Sequence, residues 1–125
     1  MAEPYTSYFG FENLEVYQLG LEFIAEIYQL TKRFPKSEQF GLTNQIQRAA
    51  VSVCLNIAEG RGRDGDKDFV RFLGIARGSL FEVVSGLYAA IKLEYLSEAQ
   101  IQSPLANASR IKAKLNALAN AVSKD

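Results

Sequence analysis

The stretch Gln45–Gly60, QIQRAAVSVCLNIAEG, decides the fold of this chain. Nothing in it breaks a helix before Gly60, and Ala, Val, Ile and Leu dominate it. On a helical projection Gln45, Arg48, Ser52, Asn56 and Glu59 fall on one narrow stripe. The rest of the circumference is apolar or small: Ile46, Ala49, Ala50, Val51, Val53, Cys54, Leu55, Ile57 and Ala58. A surface helix of a small domain carries one apolar face and a broad charged one. Here the proportions are inverted, so the helix needs cover on more than one side. Neighbouring helices of a bundle supply one cover, and a second subunit is the simplest source of the other.

The flanking segments are also periodic. From about Asn13 to Arg33, Leu14, Tyr17, Leu21, Ile24, Tyr28 and Thr31 recur at 3-4 spacing, widened by Phe23, Ile27 and Leu30. Asn13 is the expected N-cap, Glu15 and the Lys32-Arg33 pair suit the two ends of the helix dipole, and Phe34-Pro35 stops the helix. The central helix is expected to start between Glu38 and Thr43. Gly60 should take the left-handed position after its last turn. Arg61-Gly62-Arg63-Asp64-Gly65 reads as a loop.

Asp64 or Asp66 then caps a third helix running to about Tyr95, with the seam Phe69, Leu73, Ala76, Leu80, Val83, Leu87 and Ile91. Gly74, Gly78 and Gly86 lie inside it. A mid-helix glycine costs about 1 kcal/mol relative to alanine, so the three imply close backbone approach to a neighbour. Ser97 and Gln100 form a capping box for a fourth helix, whose seam is Ile101, Leu105, Ala108, Ile111, Leu115, Leu118 and Val122. Pro104 should kink that helix or restart it after Ser103. Residues 1–12, with Tyr5, Tyr8, Phe9 and Phe11, read as an irregular arm that packs over the bundle end in preference to stacking on bases. The expected fold is all-α: an antiparallel up-down-up-down four-helix bundle forming a single domain over residues 13–125.

At 125 residues the chain has the size of one domain, with 48% hydrophobic and 22% charged residues, an ordinary globular composition. No run reaches the roughly 20 apolar residues of a membrane helix. The start, MAEPYTSYFGFENLE, lacks the features of a secretion signal, and a single cysteine fits a reducing compartment, so a cytoplasmic, non-membrane protein is expected. Net charge is zero but uneven: residues 1–30 hold five Glu and no Lys or Arg, whereas residues 31–77 hold nine Lys/Arg against five Asp/Glu. There is no histidine. That removes the commonest general base and metal ligand.

Several motifs imitate chemistry without its context. Gly60-x-Gly62-x-x-Gly65 spells a dinucleotide fingerprint, but a helix precedes it where a strand is required. Asp64-x-Asp66-x-Asp68 opens like a calcium loop, yet Phe69 stands where glycine is needed and Ile75 where the closing acid belongs. Cys54 has no histidine to activate it and lies on an apolar face, which reads as inert packing. Glu59 and Glu82 could be imagined as a hydrolytic pair, with Ser52 or a lysine as further chemistry, but nothing supplies a pocket or an activating neighbour. A structural network is preferred, in which Gln45, Arg48, Ser52, Asn56 and Glu59 join Gly78, Ser79 and Glu82 to set register and subunit contact. No catalytic residue, metal or cofactor is assigned, and an enzyme is the least favoured reading.

The runs Phe34-Pro35-x-x-Glu38, Phe40-Gly41-Leu42-Thr43-x-Gln45, Arg48-Ala49-Ala50-Val51-Ser52, Asn56-Ile57-Ala58-Glu59-Gly60 and Ala76-x-Gly78-Ser79-Leu80-x-Glu82, with Leu14-Glu15-Val16-Tyr17, resemble the four-helix-bundle family of 23S rRNA intervening-sequence proteins, also labelled S23 ribosomal proteins. The likeness spans roughly residues 11–96. It implies a bundle assembled as a homopentamer with a central channel and no established enzymatic activity. Relatives include the basic accessory protein of diversity-generating retroelements, which engages reverse transcriptase and nucleic acid. This chain departs from the family in reading Ser52-Val53-Cys54-Leu55-Asn56, with Cys54 where a proline is common, and in its zero net charge.

Two roles follow as expectations. One is an oligomeric adaptor that binds RNA, or a reverse transcriptase, through Arg61, Arg63, Lys67 and Arg71, with avidity from repeated copies. Asp64, Asp66 and Asp68 lie among those cations and oppose it. The other is a self-assembling scaffold without nucleic-acid contact, dependent on Gly78 and the apolar surface around Val51, Cys54 and Leu55.

Overall fold

The computed structural model describes residues 7–124. Four α-helices make up its frame among the described residues: α1 Glu15–Thr31, α2 Leu42–Arg61, α3 Asp66–Lys92 and α4 Glu98–Val122, with one 3-10 turn at Lys36–Glu38. Each helix packs on its neighbours in sequence, and α4 closes back on α1. Contacts fix the directions. Gly60 abuts Phe72, Ser52 meets Ser79 and Gly86 abuts Ile46, so α2 and α3 run antiparallel in even register. Glu15 pairs with Lys114 while Glu26 accepts from Ser103 and Asn107, which sets α1 antiparallel to α4.

The core is aliphatic with few aromatics. Phe23 and Ile27 of α1, Ile46, Val53 and Ile57 of α2, Leu73, Leu80, Val83 and Leu87 of α3, and Ile101, Ile111 and Leu115 of α4 form one cluster. Each such side chain contributes about 1.5–3 kcal/mol through removal from water. The seams expected for α3 and α4 face the core, buried except at Ile91, Leu105, Leu118 and Val122, which are partly buried against it. In α1 the face is rotated: Val16, Gly20, Phe23, Ile27 and Thr31 point inward, and Tyr28 is exposed. Gly20 explains the shift, because α1 approaches α2 so closely there that a Cβ on Gly20 would stand 2.5 Å from Cys54 Sγ. A hydrophobic count is blind to a seam that runs through glycine.

The helix ends differ from expectation at several points. Leu14, in extended conformation, occupies the N-cap of α1, so Asn13 lies one residue outside it and its side chain is not the cap. Neither Asp64 nor Asp66 caps α3: Gly65 does, and Asp66 is the first helical residue. Gly60 is not a left-handed terminator. It is buried inside α2, where a Cβ would meet Phe72 Cβ at 2.5 Å and Phe69 Cδ1 at 3.1 Å, and the helix ends in right-handed geometry at Gly62. The left-handed residue after a helix is instead Glu94, at φ 66°, following α3. There Tyr95 N donates to Ala90 O and Glu94 N to Ile91 O, the paired 6→1 and 5→2 bonds of a Schellman end. Pro104 neither breaks nor restarts α4, which is continuous across it with the ring buried and its first turn anchored by the reciprocal Ser97–Gln100 capping box.

Of the three glycines expected to mark close approach on α3, Gly86 does so, against Ile46 Cγ1 at 2.5 Å from a built Cβ. Gly74 and Gly78 do not, having no atom within 4 Å of such a Cβ, because they lie on the outer surface of the bundle. In the arm, Tyr5 lies outside the described residues. Phe11 packs edge-on to Tyr17 with centroids 4.9 Å apart, whereas Tyr8 and Phe9 are exposed.

One end of the bundle is held by Glu38. Its carboxylate accepts from Leu42 N (2.9 Å), serving the open start of α2, and from Tyr95 Oη (2.8 Å) in the α3–α4 connection, with Phe34 and Tyr95 rings 5.4 Å apart. The Leu42 amide first, then the Tyr95 hydroxyl, hold this carboxyl below the usual carboxylate range. A carboxyl whose folded value is depressed stabilises the fold above its ordinary value near pH 4.3, and this stabilisation disappears as pH falls through the lowered value. Glu38→Gln should therefore lower the melting temperature at pH 7, with the gap from the native chain narrowing below about pH 4. Gly20→Ala should destabilise by about 1–2 kcal/mol despite its better helix propensity, and Cys54→Ala in the same chain should restore most of the loss. Thermal denaturation of the two single variants and the double variant reads that coupling.

Candidate functional site

The polar stripe of α2 lies on the flank facing α3, and the structure brings only part of it together. Ser52 Oγ and Ser79 Oγ are 2.9 Å apart, and Asn56 Nδ2 donates to both Ser52 O and Ser52 Oγ at 2.9 Å. These half-buried groups tie α2 to α3 at mid-height, so they do the register work expected of them. Glu59 turns away along its own helix to Arg63, at 2.8 Å. Gln45, Arg48 and Glu82 are exposed, and their side chains join no hydrogen bond or ion pair within the described residues. The eight residues expected to form one network thus divide into a closed trio, one local ion pair and an open remainder.

Around that remainder the surface is apolar or bare. Leu55 is 62% exposed in the middle of α2, and Ile75 is 42% exposed on the same flank of α3. Val51 is half-buried. Gly74 and Gly78 present helix backbone to solvent. Among the described residues α2 is covered by α1 and α3, with the Lys36–Glu38 turn at its start, and the outward side around Leu55 has no cover.

The basic loop behaves differently from its sequence. Asp68 sits 2.9 Å from Arg71 Nε and 3.7 Å from Arg63 Nε, and Arg63 also holds Glu59. Both guanidiniums lie over the Phe72 ring, with Cζ 4.9 Å (Arg63) and 4.5 Å (Arg71) from its centroid. Surface pairs of this kind add little stability. Their consequence is electrostatic, since Arg63 and Arg71 are committed to acids and a ring. Arg61 and Lys67 are exposed and form no ion pair among the described residues; Arg61 lies against Gly10, which takes φ +95°. The four cations therefore reduce to two available ones.

Cys54 is 3% exposed, and burial pushes its thiol up to about 12. Its Sγ lies 3.7 Å from Tyr17 O, the acceptor of a weak hydrogen bond, and it is a packing residue. The signal that sequence reading missed here is the pairing of Gly20 with Cys54, two unremarkable letters 34 positions apart.

A ring of four antiparallel helices with an incompletely covered second helix places this chain among small all-helical bundle proteins. The family model described as 23S rRNA-intervening sequence protein matches residues 12–117, and the chain belongs to that family. A crystal structure at 1.70 Å resolution of a protein with unknown function, from the S23 ribosomal protein family of Bacteroides thetaiotaomicron VPI-5482, is similar. It has a TM-score of 0.77 and 27% sequence identity over 84% of this chain and 95% of the other. No curated protein matches. Among the described residues no helix is long and apolar enough to cross a membrane.

If Asp68 and Glu59 neutralise the loop, freeing it should show on a polyanion. The pair Asp68→Asn/Glu59→Gln should need more salt for elution from heparin than the charge-matched pair Glu22→Gln/Glu82→Gln, which lies away from the loop. Equal elution would mean that the loop is no distinct cationic patch.

Proposed function

We propose that this protein is a non-enzymatic cytoplasmic scaffold that associates with copies of itself through the flank shared by α2 and α3, closing as a homopentamer. The observation that carries the reading is Leu55, a large apolar side chain 62% exposed at the centre of α2. Ile75, Gly74 and Gly78 extend the same face, and a bare helix surface lets a neighbour's backbone come close. Arg48, Glu82 and Gln45 supply polar groups at the margin of the contact. A ring of identical subunits needs this face to meet a different surface of the next copy. Burying Leu55 and Ile75 contributes about 1.5–3 kcal/mol for each side chain in every contact.

A second reading, an adaptor for RNA or for a reverse transcriptase, is supported by exposed Arg61 and Lys67. Two weak cations per chain become ten in a pentamer, and avidity multiplies them. Neutralised Arg63 and Arg71 argue for a modest, salt-sensitive contact at most.

Gly78→Leu and Leu55→Glu test the assembly cleanly, because both positions are exposed in the single chain and should leave its melting and helix content intact. Native mass spectrometry should give five times the 13.9 kDa chain for the native protein and smaller species for each variant. A native chain that stays monomeric at high concentration, or variants of unchanged mass, would refute this function. For the second reading, Arg61→Glu/Lys67→Glu should abolish any retention of single-stranded RNA at low salt.

A further inference from the structure

Between α3 and α4 lies a groove lined by none of the residues assigned to the assembly face. Its floor, between α3 and α4, is Leu80, Val84, Leu105 and Ala108, continued by Ile91 and Ile101. Two hollows, of about 190 and 280 Å³, lie in line along it. Phe81 and Tyr88, two turns apart on α3, stand beside them 51% and 55% exposed. From Arg77 to Lys92 the α3 wall spans 15 residues, about 22 Å at the helical rise.

The rim is cationic. Arg77, Lys92 and Lys112 border the groove, and none of them forms an ion pair among the described residues, whereas Arg63, Arg71 and Lys114 all do. Glu98 is the one acid lining either hollow. Arg77 Cζ lies 5.3 Å from the Phe81 ring centroid, keeping its charge beside the apolar wall.

We propose that this groove docks an acidic amphipathic helix of a partner protein. The apolar floor between two antiparallel helices takes side chains spaced three, four and seven residues apart on a third helix, which packs its ridge into the groove. Two half-exposed aromatics are the kind of anchor on which binding energy concentrates. Three unneutralised cations against one carboxylate select acids on the flanks of the incoming helix and speed its encounter. Nucleic acid fits this surface less well: the floor offers aliphatic carbon where phosphates need donors, and Arg77 already occupies the Phe81 ring.

The test is a displayed library of helical peptides selected against the full chain. Selected sequences should place Glu or Asp beside apolar residues at those spacings. A fluorescein-labelled selected peptide should lose about tenfold or more in affinity against Phe81→Ala/Tyr88→Ala, and should weaken against Lys112→Glu. Leu55→Glu, on α2 and lining neither hollow, should leave its affinity unchanged, which separates this groove from the assembly face. Absence of enrichment, enrichment of basic peptides, or affinity indifferent to the groove variants would overturn the proposal. So would competition by oligouridylate, which would make the surface a nucleic-acid site. A fall in assembly mass for Phe81→Ala/Tyr88→Ala would reassign the groove to contact between copies.

Discussion

The close antiparallel contact of α2 with α3 is the constraint on which the remaining structure depends. Three points along it leave no slack: Gly60 under Phe72, the Ser52–Ser79 hydroxyl pair, and Gly86 under Ile46. Steric fit at both ends and a polar tie between them fix register in a way that a greasy seam alone would not. Helix α1 adds to this pair through a fourth tight point, Gly20 at Cys54, and α4 completes the ring through Glu15–Lys114 and the Glu26 clamp. Aliphatic burial supplies most of the free energy, while the glycines determine which arrangement of the four rods receives it.

Much of the frame was legible because α3 and α4 carry long uninterrupted periodic seams. The unusual circumference of α2 was legible too, and Leu55 shows that it has a structural counterpart. What failed to show was whatever depends on partners distant in the chain. Gly60 looked like a terminator because a glycine after an apolar helix usually is one; only the position of Phe72 makes it a contact. Gly78 looked like a contact because it sits among periodic residues, yet it faces outward. Glu94 in the left-handed region could not be foreseen, since local sequence would have placed glycine there. Glu38 was visible as a letter of a motif, but its reach to Tyr95, 57 residues away, was not.

Charge tells a parallel story. Counting letters around Arg61 to Arg71 gave a nearly cancelled loop without saying which cations were cancelled. Geometry assigns the cancellation to Arg63 and Arg71 and leaves Arg61 and Lys67 outward. The cations that remain without a counter-ion on the α3–α4 flank, Arg77, Lys92 and Lys112, are scattered over 36 positions, and sequence reads Lys112 only as part of the solvated face of the fourth helix. A helical hairpin gathers them on one edge.

The glove-tight seat of Cys54 against Gly20 has an experimental use. With burial pushing its pKa up to about 12 and only 3% of the residue exposed, the thiol should react slowly with alkylating reagents in the folded chain. It is also the sole thiol of the molecule. Modification at this position therefore requires α1 to lift from α2, so the rate of labelling is a clock for that opening and needs no introduced probe.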